Sequence, residues 1–287
     1  MYHFIFNPMA GKRKSRKYFA RVQKILDERG VSYKVHLTTR EKGAYAIAKE
    51  LTEQGEDEIV VLGGDGTLHE ALNGIKDPSI CRLGLIPCGT GNDFAAKAGI
   101  PMQPEKALAL ILDGTAKETD YLQIGEKRCM NVAGLGLDVE VLELCEKGRM
   151  RGKLKYLLSL TRCLFTYKGC KVLVESEGRE EAHFLLIAAA CNGTQFGGGI
   201  SICPNAEIDD GKINVIAVDC IGGWWKLLSA LIQLMQGKIL AYPLTTHFTC
   251  ERVHFKTEKP CSVQLDGEVY KDLDFDVEVK KGLMFYR

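Results

Sequence analysis

Apolar positions follow two alternating periods along roughly the first 120 residues. Short apolar runs at 2–6, 31–37, 58–62, 82–86 and 119–124 predict strands. Between them, helical spacing covers 14–29, where Phe19, Val22, Ile25 and Leu26 share one face, and then 42–53, 67–75 and 104–112. Strands that alternate with helices argue for a parallel sheet with helices on both faces. From about Arg128 the texture changes. Strand-like runs at 130–132, 170–175, 183–190, 213–219, 246–256, 262–265 and 275–279 are separated by turn signals such as Asp209-Asp210-Gly211 and Asp266-Gly267. That pattern predicts a β-rich second domain with a few helices. No internal repeat, low-complexity tract or long linker interrupts the chain.

Composition narrows the class. At 287 residues the chain exceeds what one core usually serves, so two lobes are expected. The 38 Lys and Arg balance 37 Asp and Glu, and 46% of residues are apolar, which excludes a disordered chain and a generally basic nucleic-acid coat. Eleven cysteines, an odd number without C-x-x-C spacing, read as reduced thiols packed as small hydrophobes. The apolar start at 1–6 is followed, not preceded, by its positive charges and reads as a poor signal peptide. No apolar run approaches the length of a membrane span. The 30 glycines exceed the roughly 20 expected at ordinary usage, so their location matters.

Three loops concentrate them. Gly63-Gly64-Asp65-Gly66-Thr67-Leu68 follows an apolar strand and opens a helix, where main-chain N–H groups and a helix N-terminus can face a polyphosphate. Asp65 can hold a metal or accept a proton there, although a bare glycine-rich turn is the plainer reading of the same residues. The loop is neither a Walker A motif nor a dinucleotide fingerprint, and protein-kinase and HExxH signatures are absent. Pro87-Cys88-Gly89-Thr90-Gly91-Asn92-Asp93-Phe94 repeats the design, its Thr90, Asn92 and Asp93 suiting ribose or phosphate oxygens, while Asn92-Asp93 also suits an ordinary N-cap. Asn7-Pro8-Met9-Ala10-Gly11-Lys12 ends the first strand and opens a helix rich in Lys and Arg. All three lie beyond the carboxyl ends of parallel strands, where ligand crevices form.

Those three loops, with Asn131, Gly134-Leu135-Gly136-Leu137-Asp138, Lys155-Tyr156, Asn192-Gly193, Pro204 with Asp209-Asp210-Gly211, and Asp266-Gly267-Glu268, resemble the diacylglycerol kinase catalytic domain family over nearly the whole chain. The chain looks like a bacterial soluble lipid kinase of that family, related to sphingosine and ceramide kinases and remotely to NAD kinases. The resemblance implies a two-domain α/β protein: a parallel-sheet nucleotide-binding lobe over 1–124, completed by a strand at 280–287, and a β-sandwich lipid-substrate lobe over 125–279. It implies ATP contacts at Asn7, Pro8, Met9, Ala10, Gly11 and Thr39, at Gly64, Asp65, Gly66, Thr67, Leu68, His69 and Glu70, and at Thr90. It further implies Mg²⁺ near Glu207, Asp210 and the main-chain oxygen of Lys212, with Asp266 and Glu268 as general base on a lipid hydroxyl. Independently, Asp266 at the end of an apolar strand suits a projecting carboxylate, though Asp-Gly-Glu also reads as a hairpin turn. Asp65 is the expected organiser of the metal–phosphate network.

Two departures stand out: His69 where the family usually has Asn, and Ala96-Lys97 where it usually has Arg. The expected reaction is ATP- and Mg²⁺-dependent phosphorylation of a lipid alcohol, diacylglycerol foremost. The alternatives are another lipid, NAD, or a nucleotide-binding sensor that no longer catalyses. The expected setting is cytoplasmic, with transient peripheral contact at the inner membrane face and no nucleic-acid partner; a homodimer is left open. Residues 224–238 read as an amphipathic helix, either buried in the second lobe or interfacial, and the basic run from Lys147 to Lys155 reads as a solvated loop or as attraction to anionic headgroups. A second basic run, 12–17, adjoins the first loop.

Overall fold

The computed structural model describes residues 1–147, 162–163, 166–220, 223–258 and 261–287. It divides into two compact units, Met1–Tyr121 with Lys280–Arg287, and Leu122–Val279. Arg149, Arg151, Lys153 and Lys155 of the basic run, and Tyr156 beside it, lie outside the described residues.

In the first unit, β1 (Tyr2–Phe6), β3 (Glu58–Gly63) and β4 (Arg82–Pro87) run parallel, with β2 (Tyr33–Leu37) on the outer side of β1. The end of β17 (Asp276–Tyr286) runs parallel to β4 on its other side. Strands covered on both faces read as continuous apolar runs, and Ile59, Val60, Val61 and Leu62 are fully buried accordingly. The edge strand β2 has no such cover and contains only half-buried and exposed residues. Helix α1 (Lys14–Glu28) buries Val22 and Leu26, and its Phe19 stacks on Phe6 with ring centroids 4.7 Å apart. Helices α2 (Ala44–Glu53), α3 (Asp65–Gly74), α4 (Asp93–Lys97) and α5 (Pro104–Asp113) complete the unit. Pro104 stands in the first turn of α5, where a missing N–H leaves no helical bond unmade. The chain leaves through β5 (Ala116–Ile124).

The second unit opens with the short strand β6 (Lys127–Cys129), which pairs back onto β5. Its antiparallel sheet is organised by the 13-residue strand β9 (Arg179–Cys191). The first half of β9 pairs with β8 (Cys170–Ser176), and its second half pairs with both β7 (Val132–Gly136) and β12 (Ile213–Asp219). β12 continues to β13 (Thr245–Cys250), and β8 to β14 (Arg252–Thr257) and the start of β17. β7 pairs with β15 (Val263–Leu265), which turns into β16 (Glu268–Tyr270). A two-stranded ribbon of β10 (Gln195–Phe196) and β11 (Ile200–Ser201) stands apart.

Alternate residues of β9 and β12 serve opposite faces, as a period of two demands. Ala188 and Val215 join one apolar cluster with Phe255 and Leu265, whereas Ile187 and Ile216 join another with Leu137 of α6 (Leu137–Lys147) and Ala230 of α7 (Gly223–Met235).

The run at 246–256 is two strands rather than the single predicted one. The chain changes sheet partner at Glu251, with no Gly or Pro to announce it. The run predicted at 130–132 is displaced to β7, whose Gly134 lies under Asp138 and Gln264: a Cβ there would sit 2.7 Å from Asp138 Oδ2 and 3.1 Å from Gln264 Nε2. Among the described residues no helix is long and apolar enough to cross a membrane, and the ten described cysteine side chains are free thiols.

Candidate functional site

The three glycine-bearing loops of the first unit meet through their main chains. A Cβ on Gly64 would fall 2.8 Å from Gly89 Cα, and one on Gly11 would fall 2.0 Å from the Cys88 carbonyl oxygen. Gly63 is held to glycine by the Thr67 side chain, 2.5 Å from where its Cβ would stand. These glycines therefore serve loop-to-loop packing first.

Polar side chains tie the same junction. Asn7 Nδ2 donates to Thr67 Oγ1 (3.0 Å), and its Oδ1 accepts from Met9 N (3.0 Å). Asp65 Oδ2 accepts the Asn92 N–H at 2.6 Å and Oδ1 the Phe94 N–H at 3.5 Å, so one carboxylate of the second loop seats the start of α4. Asn92 is left-handed (φ 56) and folds its amide back on Gly89, accepting from Gly89 N (2.9 Å) and donating to Gly89 O (3.2 Å).

Not every predicted nucleotide residue faces outward. Leu68 and His69 are buried in α3, and Asn73 Nδ2 donates to the His69 carbonyl at 2.9 Å. One oxygen of Glu70 accepts the Ala44 N–H (2.8 Å) and so seats the start of α2. Asp93 is buried as well. Met9, Thr39 and Thr90 are exposed, with Pro8 and Ala10 half-buried in the first turn; Thr39 Oγ1 accepts from the N–H groups of Glu41 (3.3 Å) and Lys42 (3.0 Å). Gly64 precedes the first turn of α3 and gives it no side-chain cap. Main-chain N–H groups at such an end suit an anion. Gly11, Lys12 and Arg13 are all left-handed (φ 55, 56 and 72). That is a strained turn for Lys and Arg, of the kind that clusters at ligand sites.

The second unit repeats the clasp. Asp266, left-handed at φ 53, turns its carboxylate onto 129–132. Oδ2 accepts from Met130 N (2.8 Å), and Oδ1 from Asn131 N (2.8 Å) and Val132 N (3.4 Å), with the Cys129 thiol donating to Oδ1 at 3.1 Å. Burial first, and then the neighbouring Asp266 charge, push the Cys129 thiol well above its ordinary pKa. The geometry thus gives Asp266 a structural task, in place of the projecting carboxylate expected from its strand. Glu268, two residues on, is exposed.

The same junction contains residues that sequence reasoning left without a role. The N–H groups of Asn192 and Gly193 both bond the Asn131 carbonyl (2.9 and 2.7 Å), and Asn192 Nδ2 donates to Met130 O at 2.7 Å. A side chain at Gly193 would strike Asn131 Oδ1. Their presence among the quoted motif residues was the one available signal. Gln264 Oε1 accepts the Gly267 N–H at 2.8 Å and braces the turn from within.

Glu207 and Asp210 are exposed on the loop before β12, where Gly211 takes φ 69 and Asp210 Oδ1 accepts Lys212 N at 3.0 Å. Carboxylate and carbonyl oxygens are hard donors that suit Mg²⁺. Among the described residues, no group of three or more His, Cys, Asp or Glu side chains gathers as a metal cluster.

The buried acid Asp138 lies in the first turn of α6 with its Oδ1 unpartnered. Burial raises its pKa to about 7. It borders an apolar cavity of about 30 Å³ beneath α7, lined also by Leu186, Val218, Leu231 and Leu234.

A parallel-sheet unit with phosphate-type loops, joined to an antiparallel one, defines the class of two-domain kinases that share the NAD-kinase-like second domain. Residues 1–124 match the diacylglycerol kinase catalytic domain, and 131–284 match the YegS C-terminal NAD kinase β-sandwich-like domain. The chain belongs to the YegS-like lipid-kinase family and is a phosphotransferase. It is 33% identical over 275 residues to a probable YegS-like lipid kinase of Xanthomonas campestris pv. campestris, covering 88% of this chain and 86% of that one. It is 30% identical over 266 residues to a probable lipid kinase YegS of Salmonella arizonae, covering 91% and 87%. The solved structure of a diacylglycerol kinase from Bacillus anthracis str. Sterne superposes with a TM-score of 0.79 at 25% identity, covering 99% of this chain and 96% of that one.

Proposed function

We propose that this protein transfers the γ-phosphoryl group of ATP to the hydroxyl of a lipid alcohol, with diacylglycerol as the acceptor. The observation that carries the reading is the three-loop junction at the carboxyl ends of β1, β3 and β4, in a chain whose two halves both match lipid-kinase family domains. The uncapped start of α3 offers main-chain donors to a triphosphate, and Lys12 and Lys14, both exposed, add charge from the neighbouring loop. Asp65 acts by holding the second and third loops together, so its effect on phosphate binding is through loop position.

In the transfer, the acceptor oxygen bonds the γ-phosphorus, the bridging bond to ADP breaks, and the hydroxyl proton passes to a base. We assign that base to the exposed Glu268, while Asp266 fixes the turn that presents it. Positioning and electrostatics carry most of such a reaction, and the base contributes about 10²–10⁴ in rate. Mg²⁺ is the expected cofactor; Glu207, the second oxygen of Asp210 and the Lys212 carbonyl would hold it, and it supplies neutralisation of negative charge. In the cell, peripheral contact with a membrane is part of this reading, because the acceptor resides there.

Incubation with labelled ATP and, separately, diacylglycerol, phosphatidylglycerol, a sphingoid base and NAD tests it. Labelled phosphatidic acid is the expected product. Labelled NADP without labelled lipid, or ATP binding with transfer to no acceptor, would overturn the reading.

A further inference from the structure

We propose that the outer face of α7 is the surface on which this protein docks to an anionic phospholipid bilayer. The inner face of the helix is accounted for: Ala230 is buried, and Leu227, Leu231 and Leu234 turn toward the cavity beneath it. The outer face carries Trp225, Ile232 and Met235, exposed by 67, 47 and 58%. At about 100° per residue these three fall within roughly 80° of one another, a single apolar stripe facing solvent. Large apolar groups aligned outward in this way mark an interaction surface, whereas scattered ones do not.

Charge identifies the occupant. From Cys220 to Cys250 the sequence contains no Asp or Glu, where the chain's own average would supply about four, and its only lysines there are Lys226 and Lys238. Both lysines are exposed, one near each end of the helix. An apolar stripe with tryptophan at its start, in a segment with a lysine near each end of the helix and no carboxylate, complements the headgroup region of an anionic bilayer. A second copy of this chain fits less well, since a two-fold contact through the stripe sets the same lysine-bearing, carboxylate-free segment against itself. The inference rests on the lipid-acceptor reading only for why a membrane should be met; the stripe and its charge stand without it.

Trp224 and Trp225 are the chain's only tryptophans, so intrinsic tryptophan emission reports this helix alone. Vesicles of phosphatidylcholine with phosphatidylglycerol should shift the emission to the blue and co-sediment the protein, and pure phosphatidylcholine should do so far less. Added salt should weaken the effect. Ile232→Gln with Met235→Gln should lower vesicle affinity about tenfold or more while leaving phosphorylation of a short-chain, water-soluble diacylglycerol unchanged. Lys226→Glu, a surface change that leaves the core intact, should weaken anionic-vesicle binding alone. Emission and sedimentation indifferent to anionic vesicles would overturn the proposal. So would a blue shift that follows protein concentration in the absence of vesicles, which is the signature of self-association. Vesicle binding without transfer to any lipid would instead overturn the lipid-acceptor reading and leave this surface standing; transfer to short-chain diacylglycerol without vesicle binding would do the reverse.

Discussion

Asp65 in the first unit and Asp266 in the second are the same device built twice. Each precedes glycine, each follows a buried strand, and each gives its carboxylate oxygens to main-chain N–H groups of a loop distant in sequence, 92–94 in one case and 130–132 in the other. They differ in what the clasp presents. Around Asp65 the product is a junction of three loops, with glycine against glycine and an uncapped helix end. Around Asp266 it is a left-handed hairpin turn carrying Glu268 into solvent. An Asp-Gly at the end of an apolar strand therefore reads as chemistry in the sequence, and here its carboxylate also holds main chain. The reacting group is sought beside it.

The largest stability effect should come from Asp266→Ala, which leaves the N–H groups of Met130, Asn131 and Val132 without their acceptor. Unsatisfied buried donors cost about 1–3 kcal/mol each, so a loss of roughly 3 kcal/mol or more is expected in denaturant unfolding. A variant as stable as the parent would break the likeness between the two aspartates. Gly64→Ala should follow at about 1–3 kcal/mol, because its methyl group meets backbone at Gly89. ATP affinity, measured by calorimetry, should fall with it, and unchanged affinity would detach the junction from nucleotide binding. Asp65→Asn keeps one acceptor oxygen and loses the charge, so about 1–2 kcal/mol is expected. The sharper readout there is protease nicking within 88–94, which should rise if the carboxylate seats that loop.

Asp138 offers a pH-dependent contrast to both clasps, being a buried acid whose Oδ1 has no partner and whose desolvation outweighs its remaining hydrogen bonds. Its folded pKa of about 7 lies above the ordinary carboxylate value, so the native state binds the extra proton. Stability should therefore fall as pH rises from about 4 to about 7, at up to ~1.4 kcal/mol per pH unit. Asp138→Asn removes that slope, so its advantage in thermal melting should widen across the window and level off above it. Parallel melting curves for the two proteins would show that Asp138 is ionised throughout.

The first unit was largely legible because strands buried on both faces leave unbroken apolar runs, as at Ile59–Leu62, and because glycine-rich loops mark their ends. Loop convergence could also be read, since it follows from parallel topology. Side-chain direction could not. Leu68 and His69 lie within the quoted motif but point into the core, because α3 begins at Asp65 and turns them inward. In the second unit Gly134 and Gly136 disguised β7, and the break at Glu251 lacked a turn residue. The commitment of Asp266 to 129–132 is a contact across more than 130 residues, which no local pattern encodes.

Glu268→Gln, compared with the parent for both thermal unfolding and diacylglycerol phosphorylation, tests the division of labour most directly. Glu268 is exposed, so the variant should melt with the parent while turnover falls about 10²-fold or more at unchanged ATP affinity. A folded Glu268→Gln protein that turns over at the parental rate would contradict the assignment of the base to Glu268.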